Sequence, residues 1–299
     1  MKYRLLLILA ALIWGAAFVA QRVSTETMGP YTFNAVRFAI GAVSVLPIAF
    51  MQRHNSSGHM KKAPAGITLV TACLLIGFIL FAGNSLQQIG LFYTTAGKAG
   101  FITALYIVAV PIFGILWHNP LRLSHISGCA IAVVGLYFLA FHSDQPLNYG
   151  DFLELCGVLF WTLHILFVSR LVRYYSGIHL AIGQFVFCSL FSFLCGFLTG
   201  EALTWHVLQA TMIPLLYGGL MSCGIAYTLQ IIGQAHVAPT EASLLLSLEM
   251  VFSALSGYIL LGETMSTQEI LGCILMACGI FAAQVPSRII WQGLSSRVQ

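Results

Sequence analysis

The chain is a succession of long apolar stretches separated by short polar ones. A membrane-spanning helix needs about 20 mostly apolar residues, and ten stretches meet this length. They lie at roughly 4–23, 31–51, 65–85, 94–117, 124–141, 149–169, 178–199, 208–232, 240–261 and 267–285. The apolar runs are continuous, whereas the strands of a membrane β-barrel alternate apolar with polar residues. The pattern therefore predicts an all-α membrane protein with ten transmembrane helices.

The composition excludes most classes of soluble protein. Of the 299 residues, 59% are hydrophobic and only 7% are charged, against roughly 25% charged in an ordinary soluble domain. Thirteen basic and nine acidic residues are too few to cover the surface of a soluble protein of this size. A cytosolic enzyme, a nucleic-acid-binding domain and a disordered chain are therefore excluded, and the lipid bilayer is the expected surrounding.

Neither a metal nor a cofactor is expected. The eight cysteines fall inside apolar stretches and form no CxxC pair, whereas zinc sites use clustered ligands in loops. The nine histidines show no HExxH-like spacing, and the chain has no GxxxxGK[ST] loop for ATP.

The basic residues divide unevenly between the two sides of the membrane. With ten spans both termini lie on one side, which then holds Lys2, Arg4, Arg53, Lys61, Lys62, Arg122, Arg170, Arg173, Arg288 and Arg297. The opposite side holds Arg22, Arg37 and Lys98. Because cytoplasmic loops are rich in Lys and Arg, both termini are predicted to be cytoplasmic.

The chain also resembles itself. Residues 86–90 (LQQIG) match 229–233 (LQIIG), and residues 126–129 (ISGC) match 270–273 (ILGC). Further matched pairs are Ala99 with Ala242, Leu105 with Leu248, and Trp14 with Trp161. Spans one to five (residues 1–145) therefore resemble spans six to ten (residues 146–299). Since five is odd, the two repeats enter the membrane in opposite senses, an arrangement found in many secondary transporters.

Several motifs then point to a known family. They are Trp14-Gly15, Arg37-Phe38, residues 93–103 (YTTAGKAGFIT), residues 242–249 (ASLLLSLE) and residues 261–263 (LGE). In this order they resemble the EamA-type branch of the drug/metabolite transporter superfamily, over nearly the whole chain as two EamA repeats. The resemblance implies ten helices, cytoplasmic termini, and a central cavity lined chiefly by spans 1, 3, 4, 6, 8 and 9. It also implies a metabolite exporter or exchanger of the inner membrane.

Glu249 is the clearest candidate functional residue, because it lies near the middle of the ninth span. A charge at that depth is a functional hypothesis by default. Burial disfavours the ionised form of a carboxylate, which suits a group that exchanges a proton or meets a cationic solute. The alternative is a buried hydrogen bond between helices.

Two polar stripes on otherwise apolar helices are candidate solute contacts. The third span carries Asn84, Gln87 and Gln88, and the eighth carries Tyr227, Gln230 and Gln234. Such a stripe must face the interior of the bundle rather than lipid. Amides offer both donors and acceptors, so the stripes suit a polar or zwitterionic solute. They could equally bind helix to helix.

Four further side chains are candidate cavity walls: Tyr106, Trp14, Trp161 and His164. Tyr106 is the repeat equivalent of Glu249, and aromatic rings can stack on a cation. The alternative for the tryptophans and the histidine is ordinary core packing.

Two charged residues are candidate gates at opposite ends of the cavity. Lys98 and Glu241 occupy equivalent repeat positions, eight residues before Tyr106 and Glu249. The alternatives are snorkelling of Lys98 to the interface and a helix start at Glu241, which follows Pro239 and Thr240. Arg37 is expected to extend from the second span toward the nearer membrane face.

The sequence therefore predicts a secondary transporter of small metabolites, such as amino acids or related polar solutes, that works by alternating access at the plasma membrane. It would act as an exporter or exchanger, and without an ATP-binding loop it must use a gradient. Whether protons are coupled stays open. The alternatives are an intramembrane enzyme acting on a lipid-linked substrate and a membrane scaffold. A homodimer through the small faces of spans five and ten is a further expectation.

Overall fold

The computed structural model describes residues 1–52, 63, 66–94, 96–117, 119, 121–140, 148–261, 266–285 and 289–291, and most of them are helical. In the first half the described helices are α1 (Lys2–Ser24), α2 (Pro30–Gln52), α3 (Leu69–Gly90), α4 (Ala96–Ala104), α5 (Tyr106–Leu116) and α6 (Leu123–Ala140). In the second half they are α7 (Tyr149–Leu171), α8 (Gly177–Leu198), α9 (Trp205–Ala210), α10 (Met212–Leu216), a π-helix (Tyr217–Tyr227), α11 (Thr228–Gln234), α12 (Pro239–Leu246), α13 (Glu249–Leu261) and α14 (Thr267–Gln284). Two short strands, β1 (Leu121–Arg122) and β2 (Ile289–Trp291), pair antiparallel.

Seven helical segments of the described chain are long and apolar enough to cross a membrane. They are Lys2–Ser24, Pro30–Met51, Leu69–Gly90, Ala99–Leu116, Tyr149–Leu171, Gly177–Leu198 and Met212–Gln234. Leu123–Phe138 and Ile270–Ala283 are shorter apolar helices. Large apolar side chains cover the outside, with Phe197 82% and Ile213 79% exposed, as expected for a surface that faces lipid. The prediction of an all-α membrane protein is confirmed.

The third helix differs from its predicted bounds of 65–85. It begins after Thr68, whose side chain accepts a hydrogen bond from the Thr71 backbone in a capping box, and it continues to Gly90. The predicted end was too early because Gln87 and Gln88 interrupt the apolar run. Both side chains are buried, so these two polar residues of the helix lie inside the bundle.

The fourth and ninth predicted spans are each broken near the middle rather than continuous. In the fourth, Leu105 separates α4 from α5, and its N–H bonds to the Ile102 carbonyl at 3.1 Å. In the ninth, Ser247 and Leu248 separate α12 from α13, and the Ser247 hydroxyl donates to the Leu244 carbonyl at 2.9 Å. Tighter i→i+3 bonds and a serine that bonds back to the backbone both interrupt regular α-geometry.

The eighth predicted span contains the π-helix, in which glycines allow close approach of α2. A Cβ added to Gly219 would lie 2.6 Å from the Cβ of Ile40. A Cβ added to Gly218 would lie 3.3 Å from Cδ of Arg37. The missing side chains therefore make room for α2 and for the stem of Arg37.

Helices α6 and α14 pack on each other through glycine. A Cβ added to Gly128 would lie 2.6 Å from the Gly279 carbonyl oxygen, and one added to Gly135 would lie 2.7 Å from the Gly272 carbonyl oxygen. Such close backbone approach is typical of small-residue faces in membranes. These small faces are used inside one chain, so they no longer argue for the homodimer, which stays a prediction without this support.

Candidate functional site

A cavity lies between α1, α2, α3, α7 and six shorter helical segments, which are α4, α5, the π-helix, α11, α12 and α13. The empty space between its walls, including the part that opens to solvent, is about 520 Å³, and a smaller volume of about 50 Å³ admits the centre of a water molecule. That smaller volume has room for a few water molecules. The cavity is therefore narrow in this conformation, and a larger solute requires the helices to separate.

Nine of the predicted solute-contacting residues line this cavity: Trp14, Asn84, Gln87, Tyr106, Trp161, His164, Tyr227, Gln230 and Glu249. They come from spans 1, 3, 4, 6, 8 and 9, the set that the family resemblance implied. The same walls also contain Phe18, Gln21, Arg37, Thr103, Ile165, Ser222 and Leu246. Of these, Arg37 adds the second span to the lining.

Glu249 and Tyr106 meet where two helices begin. Glu249 is the first residue of α13 and Tyr106 the first of α5. The Tyr106 hydroxyl donates a hydrogen bond to Glu249 Oε1 at 3.0 Å, and both side chains are buried. The carboxyl group therefore has both a partner on another helix and a place in the cavity wall.

A second cluster joins Arg37, Asn84 and Tyr227. The Arg37 guanidinium donates from Nη2 to Asn84 Oδ1 at 2.5 Å and from Nε to Asn34 Oδ1 at 3.0 Å. The Asn84 amide nitrogen donates to the Leu80 carbonyl at 2.8 Å and lies 3.4 Å from the Tyr227 hydroxyl. This network fixes the amide oxygen of Asn84 toward the cation.

Aromatic rings form much of the remaining wall. Trp14 and Tyr227 meet edge to face with ring centroids 4.7 Å apart, and the Trp14 indole donates to the Ser222 carbonyl at 3.3 Å. His164 lies 6.0 Å from the Tyr227 ring, and its Nε2 is 2.9 Å from Gln184 Oε1. The buried indole nitrogen of Trp161 has no hydrogen-bond partner among the described residues.

Two predicted polar residues lie elsewhere. Gln88 is buried, but its amide donates to the Gln21 carbonyl and the Ser24 hydroxyl, at 3.1 and 3.2 Å, and it is not in the cavity wall. Gln234 is also buried and outside the lining. The side chain of Lys98 lies outside the described part of the structure, although its backbone belongs to α4.

Arg37 corrects the sequence interpretation. It was expected to reach toward a membrane face, but it is only 1% exposed and lies in the cavity wall. The expectation was wrong because polar and aromatic neighbours from α2 and α3 hold the guanidinium inside the bundle. The position of Arg37 within an apolar span was the sequence feature that could have indicated a buried cation.

A buried acid next to the cavity was also missed. Glu154 on α7 is fully buried and accepts a hydrogen bond from the Thr103 hydroxyl at 3.1 Å. Thr103 itself lines the cavity. Glu154 lies near the start of the predicted sixth span, where the sequence alone does not distinguish a buried acid from one at the membrane interface.

Acids in the first turns of two helices contact residues from other parts of the chain. Glu241 stands in the first turn of α12 after Pro239, as the helix-start interpretation predicts, and it forms an ion pair with Arg4 of α1. Asp151 caps the start of α7 together with Asn148 and accepts a hydrogen bond from Thr94 at 2.6 Å.

Polar side chains line a narrow cavity inside this apolar helical bundle, and comparison with known proteins shows its family. The chain belongs to the EamA-like transporter family, whose model matches residues 1–141 and 148–283. A crystal structure that covers 95% of this chain and 96% of its own superposes with a TM-score of 0.78 at 18% identity, which shows the shared fold.

Three relatives illustrate the likeness. An uncharacterized transporter of Archaeoglobus fulgidus is 30% identical over 92% of this chain and 83% of its own. The uncharacterized transporter YoaV of Bacillus subtilis is 25% identical over 94% of this chain and 96% of its own. The threonine/homoserine exporter RhtA of Escherichia coli is 30% identical over 49% of this chain and 50% of its own. The protein is thus a multi-pass membrane transporter and not an intramembrane enzyme.

Proposed function

We propose that this transporter exports or exchanges a small polar metabolite, of the amino acid class, by alternating access. The observation that carries the proposal is the cavity itself, in which amides, a carboxyl group, a guanidinium and aromatic rings line a space inside an apolar bundle. Polar side chains in a membrane interior are costly unless they face one another, water or a solute. A zwitterionic solute would find both donors and acceptors in this wall.

Equivalent repeat positions support alternating access. Tyr106 and Glu249 stand 143 residues apart and share a hydrogen bond, and so do Asn84 and Tyr227. The helix breaks beside Leu105 and Leu248 also fall on a matched pair of positions. If the two halves are inverted repeats of five helices, exchange of their conformations would move the opening of one cavity from one membrane face to the other.

The proposed topology has ten spans, residues 1–145 and 146–299 as the two repeats, and both termini in the cytoplasm. Its support is the distribution of Lys and Arg between alternate loops. The plasma membrane, which is the inner membrane of a bacterium, is the proposed location. In the proposed ninth span, the interruption at Ser247 and Leu248 leaves two helices, α12 and α13, and each is too short to cross a membrane alone.

The substrate class and the direction are proposed from chemistry and from one relative. RhtA is named a threonine/homoserine exporter and is similar to about half of this chain. Both of its named solutes carry a carboxylate, an ammonium and a hydroxyl group. The cavity offers a carboxyl group in Glu249, a guanidinium in Arg37 and amides in Gln87 and Gln230.

We assign the proposed gates to the two ends of the cavity. Glu241 joins α12 to α1 through its ion pair with Arg4, and its repeat equivalent is Lys98. Separation of α1 from α12 would open the end of the cavity at Glu241. The corresponding contact at the other end would involve Lys98.

Proton coupling is proposed at Glu249. A carboxyl group that is 6% exposed and bonded to Tyr106 can release its proton when the cavity admits water and take it back when the cavity closes. This cycle would connect a proton gradient to solute movement.

Transport by the purified protein in liposomes tests the proposal. L-Threonine and L-homoserine trapped inside should exchange with labelled solute outside, without ATP, and an imposed pH gradient should change the rate. Empty liposomes and liposomes with the Gln87→Leu variant serve as controls. Failure of every amino acid to cross, with the protein folded, would exclude the proposed substrate class. Reporter fusions at the two termini test the topology, and termini on different faces would contradict it.

A further inference from the structure

Arg37 brings a permanent positive charge into the bundle. Arginine stays protonated in proteins, and Arg37 is 1% exposed. Within the described residues the ion pair is that of Arg4 with Glu241, and no carboxylate pairs with Arg37. Buried charges are normally paired with an opposite charge, so the missing counter-charge of Arg37 needs an explanation.

The neighbours of Arg37 orient the guanidinium without neutralising it. Its two side-chain hydrogen bonds reach the amide oxygens of Asn34 and Asn84. Its guanidinium carbon lies 5.2 Å from the centre of the Phe33 ring and 5.1 Å from that of Phe38. These contacts use two of the five N–H donors of a guanidinium, and the side chain lines the cavity.

The position that corresponds to Arg37 in the second half of the chain carries no charge. Trp161 follows Trp14 by 147 residues, and Gln184-Phe185 follow Arg37-Phe38 by the same interval. Gln184 is neutral, fully buried and hydrogen-bonded to His164 at 2.9 Å. The position thus accepts an amide in one half, while in the other half it carries a cation at the cavity wall.

We infer that Arg37 binds the carboxylate of the transported solute, which makes the substrate class a carboxylate-bearing metabolite. The inference rests on the proposed function, because it assigns a role within the same cavity. A planar guanidinium can donate two parallel N–H groups to a carboxylate, and the solute then supplies the counter-charge that the protein lacks. Glu249 in the same cavity provides an acceptor for the ammonium group of an amino acid.

Paired solutes that differ only at the carboxylate test this inference. Ligand-induced thermal stabilisation of the purified protein is measured with L-threonine and L-threoninamide, and with L-homoserine and L-homoserinamide. The wild-type protein should bind each acid about tenfold or more tighter than its amide, as expected for a hydrogen bond between charged groups. Equal affinity of the wild-type protein for acid and amide overturns the inference without any variant.

Variants then assign the preference to Arg37. Arg37→Gln should lose most of the preference for the acid, whereas a purely structural role would weaken acid and amide together. Arg37→Lys keeps the charge but not the planar fork and should keep part of the preference. Arg22→Gln, at an exposed arginine, is the matched control and should change neither affinity. If Arg37→Gln does not fold, the inference is tested by the acid and amide affinities of Arg37→Lys and of the wild-type protein.

The outcomes separate this inference from the proposed function. If amino acids cross liposomes but acid and amide bind alike, the function stands and the inference fails. If amino acids do not cross, but acetate, pyruvate or succinate stabilise the wild-type protein and not Arg37→Gln, the inference stands and the amino acid proposal fails. Stabilisation by inorganic phosphate alone, or by no carboxylate at all, overturns the inference.

Discussion

The hydroxyl of Tyr106 donates a 3.0 Å hydrogen bond to Oε1 of Glu249, and each residue is the first of a helix that follows a break. The bond therefore joins two places where α-geometry is already interrupted. When α5 moves relative to α13, this bond must either break or be kept by a movement of the two side chains. Protonation of Glu249 and the relative position of the two helices are thereby connected.

Replacement of Glu249 by Gln is expected to remove or reshape the pH dependence of transport. The amide keeps the size of the side chain and can still accept the bond from Tyr106, but it cannot exchange a proton. The measurement is the initial exchange rate in liposomes between about pH 5 and 8, the range in which stability of most proteins is maximal. Tyr106→Phe, which removes the bond but not the acid, should retain a pH dependence with an altered midpoint. A pH profile of Glu249→Gln identical to wild type would exclude the proton role.

Gln87 and Gln88 form a natural matched pair, because they are adjacent but face different neighbours. Gln87→Leu is expected to weaken apparent solute affinity while the Tm changes little, since Gln87 lines the cavity. Gln88→Leu should instead lower the Tm by about 2 °C or more with little effect on affinity, because it removes hydrogen bonds to Gln21 and Ser24. Normal affinity of Gln87→Leu would return this residue to a structural role.

The ion pair between Arg4 and Glu241 is expected to affect the rate of opening rather than solute binding. Arg4 is 44% exposed, and exposed ion pairs contribute little. Arg4→Glu or Glu241→Arg alone should therefore change the exchange rate only about two- to fivefold. The double exchange of charges should restore the wild-type rate. Equal rates in single and double variants would show that the pair is not part of a gate.

The glycine contact between α6 and α14 should be intolerant of side chains. A Cβ at Gly135 would lie 2.6 Å from the Met276 backbone nitrogen, so Gly135→Val is expected to destabilise the protein by roughly 1–3 kcal/mol through overpacking. Gly157→Ala is the control, since its Cβ would meet nothing closer than 3.8 Å. Thermal unfolding of the purified proteins measures the difference. An unchanged Tm for Gly135→Val would contradict the close packing of these two helices.

The sequence predicts most helices because lipid imposes one requirement on length and polarity, and the buried stripe from Asn84 to Gln88 shows how far this rule reaches. The pattern predicts that Asn84, Gln87, Tyr227 and Gln230 lie inside the bundle, and all four are buried. Burial follows from the cost of exposing an amide to lipid. Which buried amide faces the cavity does not follow, as Gln88 shows, because that depends on the neighbouring helix.

Arg37 and the helix breaks mark where sequence reasoning ends. A cation within an apolar span can extend along lipid to the interface or remain inside, and only Asn34, Asn84 and two phenylalanine rings decide between these. No Gly or Pro lies beside Leu105 to indicate an interruption there. The hydropathy pattern continues through Leu105 without a change that marks the interruption.

The π-helix at Tyr217–Tyr227 fixes the phase of everything that follows it in the same span. Each residue advances an α-helix by about 100° around its axis, so one residue more or fewer between Tyr217 and Tyr227 would turn Tyr227 and Gln230 from the interior toward lipid. A change of hydrogen bonding from i→i+5 to i→i+4 likewise rotates that downstream surface. Which chemical groups a solute meets on this side therefore depends on the helical phase set by a glycine-rich stretch, in which Ser222 and Tyr227 themselves line the cavity.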